Sequence, residues 1–134
     1  MKYFSFIAAV LCLYSCKVLD GTADRQVLGE NTQWVLTAIA EKPVSIENAY
    51  LRFDTKEHRI SGKAACNGFS AEYEIFTENR ITFSEISSTK MYCEGLMDEE
   101  SEILTNLRSV KRYEIKADRL YFYSDGGLLL TFKR

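Results

Sequence analysis

Apolar and polar residues alternate with a period of two along most of the chain. The apolar phase is carried by Trp34, Leu36 and Ala38, by Leu51 and Phe53, by Ile60, Gly62 and Ala64, and by Ala71, Tyr73 and Ile75. It continues through Ile81 and Phe83, Leu120 and Phe122, and Leu128, Leu130 and Phe132. Successive side chains of a strand point to opposite faces, so this pattern predicts about eight short, half-buried strands. Turn-forming clusters lie between the runs: DTKEH at 54–58, Asn67 with Gly68, TEN at 77–79, Ala117 with Asp118, and Asp125, Gly126 and Gly127. Connections this short join antiparallel neighbours. Asn67 and Gly68 read as a turn that tolerates positive φ between a strand ending at Ala64 and another beginning near Phe69.

One stretch breaks the alternation. In MDEESEILTNLRSVKR, residues 97–112, the apolar residues Ile103, Leu104, Leu107 and Val110 share a face at helical spacing. Asp98 is placed to cap the start, with Glu99, Glu100 and Glu102 at the positive end of the helix dipole and Arg108, Lys111 and Arg112 at the negative end. One amphipathic helix must bury its stripe against the sheet. The predicted fold class is therefore mainly β with one α-helix, a curved antiparallel β-meander or partly closed barrel packed with that helix. Its expected core is Trp34, Leu51, Phe53, Phe83, Leu104, Leu107, Phe122, Leu130 and Phe132. Tyr50, Tyr121 and Tyr123 occupy the opposite phase, either under the helix or as an aromatic surface.

The chain opens differently, with MKYFSFIAAVLCLYSC: a basic residue, about a dozen weakly polar to apolar residues, then a small residue and a cysteine. The apolar run is shorter than the roughly 20 residues that cross a bilayer, so it reads as an export signal. Leu13, Tyr14, Ser15 and Cys16 resemble the lipobox of bacterial lipoproteins, which implies cleavage before Cys16 and a diacylglycerol on its sulfur. The alternative is an ordinary secretory signal that leaves Cys16 a plain thiol. The expected organisation is a signal peptide at 1–15, a polar flexible tether at 16–32 and a domain at 33–134. Membrane attachment through the N-terminal lipid follows, with the outer membrane and the periplasmic face as the expected location.

With 134 residues, the chain has material for one core. Its formal charge of −2 becomes −3 once Lys2 leaves with the signal, which argues against a nucleic-acid partner. Of four cysteines, Cys12 belongs to the signal and Cys16 to the lipid, so Cys66 and Cys93 remain as a pair in an oxidising compartment. A disulfide between them is the simplest account, and two buried free thiols are the rival.

Catalytic chemistry finds little support. The lone His58 lies in the polar turn, and no Ser-His-Asp set can be assembled around it. Glu72 and Glu74 share one strand face at a spacing that two-carboxylate hydrolysis uses, but a solvated polar face explains them as well. Cys66, Cys93 and His58 lack the paired spacing of structural zinc sites. The expectation is no enzyme activity, no cofactor and no metal. Asn67, Ser88, Thr89 and Lys90 are the candidates for contact with a partner.

Several of these segments together resemble the META domain family: Trp34 and Leu36; Leu51 and Phe53; SGKAACNGF at 61–69 with Tyr73; STKMYC at 88–93; Glu102, Leu104 and Leu107; and LLLTF at 128–132. The resemblance spans roughly residues 33–133 and is most specific at Cys66 with Asn67 and from Ser88 to Cys93. It implies a compact β-meander with one helix, found in envelope proteins associated with stress tolerance, and brings no catalytic residues. Three readings follow in rank: a lipid-anchored envelope module that binds a protein partner or supports envelope integrity under stress, a carrier or sensor of a small apolar ligand in the sheet mouth, and last a hydrolase.

Overall fold

A computed structural model describes residues 28–76 and 79–134. The expected signal segment, Cys16 and the expected tether through residue 27 lie outside the described residues, as do Thr77 and Glu78 of the TEN turn.

The alternating runs form strands β1 (Trp34–Ile39), β3 (Tyr50–Asp54), β4 (Arg59–Lys63), β5 (Gly68–Ile75), β6 (Ile81–Phe83), β8 (Arg112–Lys116), β9 (Arg119–Ser124) and β10 (Gly127–Lys133). Two strands of two residues, β2 (Lys42–Pro43) and β7 (Ser87–Ser88), pair with β1 and β5. The sheet order is β6-β5-β4-β3-β1-β10-β9-β8, and all the strand pairings are antiparallel. Its two ends curl toward each other: the Ile81 N–H donates to the Lys111 carbonyl at 3.1 Å and the Tyr113 N–H to the Asn79 carbonyl at 2.9 Å. The result is a nearly closed barrel with an unsealed seam between β6 and β8.

The turns supply the hairpins. Ala117, at φ 53°, and Asp118 join β8 to β9, and Asp125 with Gly126 joins β9 to β10. Between β3 and β4, the Asp54 carboxylate accepts the N–H groups of Lys56 and Glu57, both at 3.0 Å. Gly62 permits close strand contact, because a Cβ there would lie 2.0 Å from the Tyr50 carbonyl oxygen.

Two bulges shift the phase that the alternation predicted. The β1–β10 register slips between Leu36 and Ala38, so Ile39 is buried where Ala38 was expected. The β9–β10 register slips between Leu128 and Leu130, and Leu130, Thr131 and Phe132 are consecutively buried. The expected core residues do form one cluster, with Phe83 half-buried at its margin. Aromatic rings meet edge-on inside it: Phe53 with Tyr73 and Phe83 with Phe122, both at 5.4 Å, and Phe122 with Phe132 at 5.6 Å.

Helix α1 (Met97–Arg108) packs Ile103, Leu104 and Leu107 against the barrel, touching β6 and β10. It is shorter than its sequence pattern. Leu96 precedes it without a side-chain cap, so Asp98 lies in the first turn and caps nothing. It ends at Arg108 because the next residues are claimed by strand pairing: the Lys111 N–H donates to the Tyr123 carbonyl at 2.8 Å, and Arg112 opens β8. Val110 still reaches the core from outside the helix.

The expected tether boundary also moves. Leu28 is 1% exposed, and its carbonyl accepts the Trp34 indole N–H at 3.0 Å. The Asn31 N–H donates to the Phe53 carbonyl at 3.2 Å. The packed domain therefore already includes Leu28–Thr32, which main-chain hydrogen bonds hold despite their polar composition.

Candidate functional site

Residues 64–67 link β4 to β5, and the Ala64 N–H donates to the Asn67 carbonyl at 3.0 Å. The link is a turn, but Asn67 does not take the positive φ expected of it. Its conformation is set by the bonds its buried side chain makes instead. The Asn67 Oδ1 accepts from the Met91 N–H and the Thr89 hydroxyl, both at 2.7 Å. The Asn67 Nδ2 donates to the Met91 carbonyl at 2.9 Å and to Glu100 Oε1 at 2.6 Å. Every hydrogen-bonding position of the Asn67 amide is thus occupied, so it serves as a joint between three segments and offers nothing free to a partner.

The third segment enters through Glu100, which is 4% exposed. Its Oε2 accepts the Asn67 N–H at 2.6 Å and the Cys66 N–H at 2.8 Å. Burial pushes this carboxyl up, but hydrogen bonds from the Asn67 side chain and from the backbone of Asn67, Cys66 and Ala65 outweigh it and hold the group below the usual glutamate value. Glu100 is a charged acceptor whose donors are built in. The sequence carried a signal for it: Glu100 lies three and four residues before Ile103 and Leu104 and seven before Leu107, on the apolar stripe itself. The acidic run around it disguised this as a dipole effect.

Cys66 and Cys93 form a disulfide, with Cα atoms 5.8 Å apart. The Cys93 N–H also approaches the Met97 sulfur at 3.4 Å. The stretch Ser88–Tyr92 is consequently tied at its middle by Asn67 and at its end by the disulfide.

An open groove of about 450 Å³ lies between this stretch and α1. One wall is Ser88, Thr89, Lys90, Met91 and Tyr92; the other is Met97, Ser101, Leu104 and Arg108, with Asn67 and Glu100 between them. At its lip Tyr92 is 79% exposed and Met91 57%. The candidates Asn67, Ser88, Thr89 and Lys90 are thus brought to one place, with Asn67 as a structural element. Met97, Arg108 and Glu100 join them from a helix whose pattern suggested only core packing.

The remaining candidates lie elsewhere. His58 is exposed, with its ring stacked 5.8 Å from that of Tyr73. Glu72 and Glu74 are exposed on the outer face of β5, and Glu72 faces Arg59 at 3.9 Å. The disulfide removes Cys66 and Cys93 as thiolate ligands. Tyr50 and Tyr123 lie half-buried beneath Arg52 and Arg112, whose guanidinium carbons are 5.1 and 4.3 Å from the ring centres.

A family model described as META domain matches residues 26–134. No curated protein matches this chain. Three solved structures are similar. An NMR structure of a protein from Burkholderia xenovorans is 21% identical with a TM-score of 0.66, over 100% of this chain and 98% of that one. Another NMR structure is 24% identical with a TM-score of 0.62, over 78% and 89%. A crystal structure of a DUF4847 family protein from Bacteroides vulgatus is 9% identical with a TM-score of 0.61, over 82% and 96%. At these identities the likeness fixes the fold alone.

Proposed function

This chain belongs to the META domain family, and on that premise we propose that it is a lipid-anchored module of the bacterial cell envelope that works by holding a protein partner rather than by catalysis. The observation that carries this reading is the lip of the groove. Tyr92 and Met91 expose apolar surface to water while Asn67 and the Cys66–Cys93 disulfide hold their segment in place. Exposed aromatic surface on a fixed segment suits recognition, because little conformational freedom remains to be lost on binding. The supporting case for the anchor is the lipobox-like Leu13–Cys16 and a disulfide of the kind that persists outside the cytoplasm.

The apolar-carrier reading is weaker, because Trp34, Phe53, Phe122, Leu107 and Leu130 are fully buried together in one packed core cluster. The hydrolase reading is weaker still, with Glu72 and Glu74 on an open outer face.

A photo-crosslinking amino acid at Tyr92, with one at Glu72 as control, tests the partner in living cells. A discrete protein adduct from position 92 and none from 72 is expected; no adduct at 92, or the same adducts at both, would overturn the reading. For the anchor, Cys16→Ala should abolish fatty-acid labelling and move the protein from the membrane to the soluble fraction. Wild-type protein that never takes up label would remove that part of the proposal.

A further inference from the structure

We infer that the groove receives an extended, acidic peptide segment of the partner, laid beside residues 88–92 as an added strand; this rests on the partner-binding reading above. Among the described residues, strand β7 pairs only with β5. The Thr89 N–H reaches the Gly68 carbonyl at 3.0 Å and the Met91 N–H reaches the Asn67 side-chain oxygen at 2.7 Å, so these alternate residues turn their amides toward the start of β5 and the turn before it. By the two-residue period of an extended chain, Ser88 and Lys90 turn theirs the other way, toward an edge that carries no strand among the described residues. Such an edge is the template for β-augmentation, in which main-chain bonds hold the peptide and flanking side chains select it.

The dimensions fit. From Ser88 to Tyr92 the wall runs about 13 Å at strand rise, and from Met97 to Arg108 the facing wall runs about 16 Å at helical rise. That length takes about four or five extended residues. Cys93 touches Met97, so the apolar end of the groove lies at Tyr92 and Met97, and Arg108 marks the other end.

Charge selects the occupant. Lys90 and Arg108 line the groove, and neither forms an ion pair among the described residues. Its one carboxylate, Glu100, is already engaged by N–H donors. In a chain of formal charge −2, this leaves a locally cationic groove suited to one or two carboxylates.

The test titrates the ¹⁵N-labelled full-length chain with two pools of acetylated pentapeptides, three degenerate apolar or threonine positions followed by Glu-Asp or by Lys-Lys. The acidic pool should shift the amides of 88–92 and 97–108 and bind at least about tenfold more tightly than the basic pool, with the preference shrinking as salt rises. Lys90→Glu with Arg108→Glu should erase or reverse that preference while the fold, read from the remaining amide peaks, stays intact. Methylating alternate peptide nitrogens should weaken binding in one phase only. Equal binding of the two pools, shifts confined to other surfaces, or an unaltered preference in the charge-reversed variant would overturn the inference. So would anionic vesicles of phosphatidylglycerol shifting the groove amides where peptides do not. A position-92 adduct that persists alongside any of these failures leaves the partner reading standing and removes only the peptide.

Discussion

Glu100→Gln removes one charge from the chain and keeps the shape of the side chain that joins α1 to the Cys66–Asn67 turn. In the native protein this buried carboxylate accepts the Cys66 and Asn67 main-chain N–H groups and the Asn67 side-chain N–H at 2.6–2.8 Å. The glutamine carbonyl can keep the two main-chain donors, but as neutral bonds about 1 kcal/mol weaker each. Its NH2 then faces the Asn67 NH2, stranding a buried donor at about 1–3 kcal/mol. The expected loss is about 3–5 kcal/mol, a large part of the 5–15 kcal/mol typical of a domain. Urea unfolding followed by circular dichroism at pH 7, with the disulfide intact, measures it. The same experiment run downward in pH has a definite sign. Because the folded pKa is depressed, the stabilisation is complete above the ordinary glutamate value of about 4.3 and is lost as pH falls through the folded value. The gap between wild type and variant should therefore narrow in acid. A loss under about 1 kcal/mol at pH 7, or a gap that does not change down to pH 2, would refute Glu100 as the charged acceptor of this joint.

Three further outcomes follow from the fold. Gly62→Ala should cost at least about 2–3 kcal/mol, read as a fall in Tm, since the new Cβ meets the Tyr50 main chain rather than a movable side chain; an unchanged Tm would mean that β3 and β4 are not so close. Replacing both Cys66 and Cys93 with alanine should cost about 3.5 kcal/mol by chain entropy for a separation of 27 residues, and matching urea midpoints for wild type and variant would contradict it. Leu107→Ala should cost about 2–5 kcal/mol, and a loss under about 0.5 kcal/mol would show that α1 does not dock there.

Much of the architecture is legible in the linear sequence, because it rests on short-range periodicity. The alternation at Trp34 and Leu36 or at Phe122, the two-residue turn at Ala117 and Asp118, and the stripe Ile103, Leu104 and Leu107 each state their own geometry within a few residues. The cysteine count paired Cys66 with Cys93 because two others were accounted for near the N-terminus. Local periodicity could not reveal the slips at Leu36–Ala38 and Leu128–Leu130, since a bulge is settled by how a strand meets its neighbour. The helix end at Arg108 was hidden for the same reason, because Lys111 and Arg112 answer to β6 and β9 rather than to their own dipole. The polar residues of Leu28–Thr32 look like tether until their main chain is seen on Trp34 and Phe53.

The groove belongs wholly to the tertiary structure. Ser88, Thr89, Lys90 and Asn67 could be named in advance, but their arrangement depends on Glu100, 33 residues beyond Asn67. A carboxylate in an acidic helix turn carries no mark of what it will accept. Only the docking of α1 removes it from water and sets it against the amides of Cys66 and Asn67, and burial without those donors would have pushed its charge out.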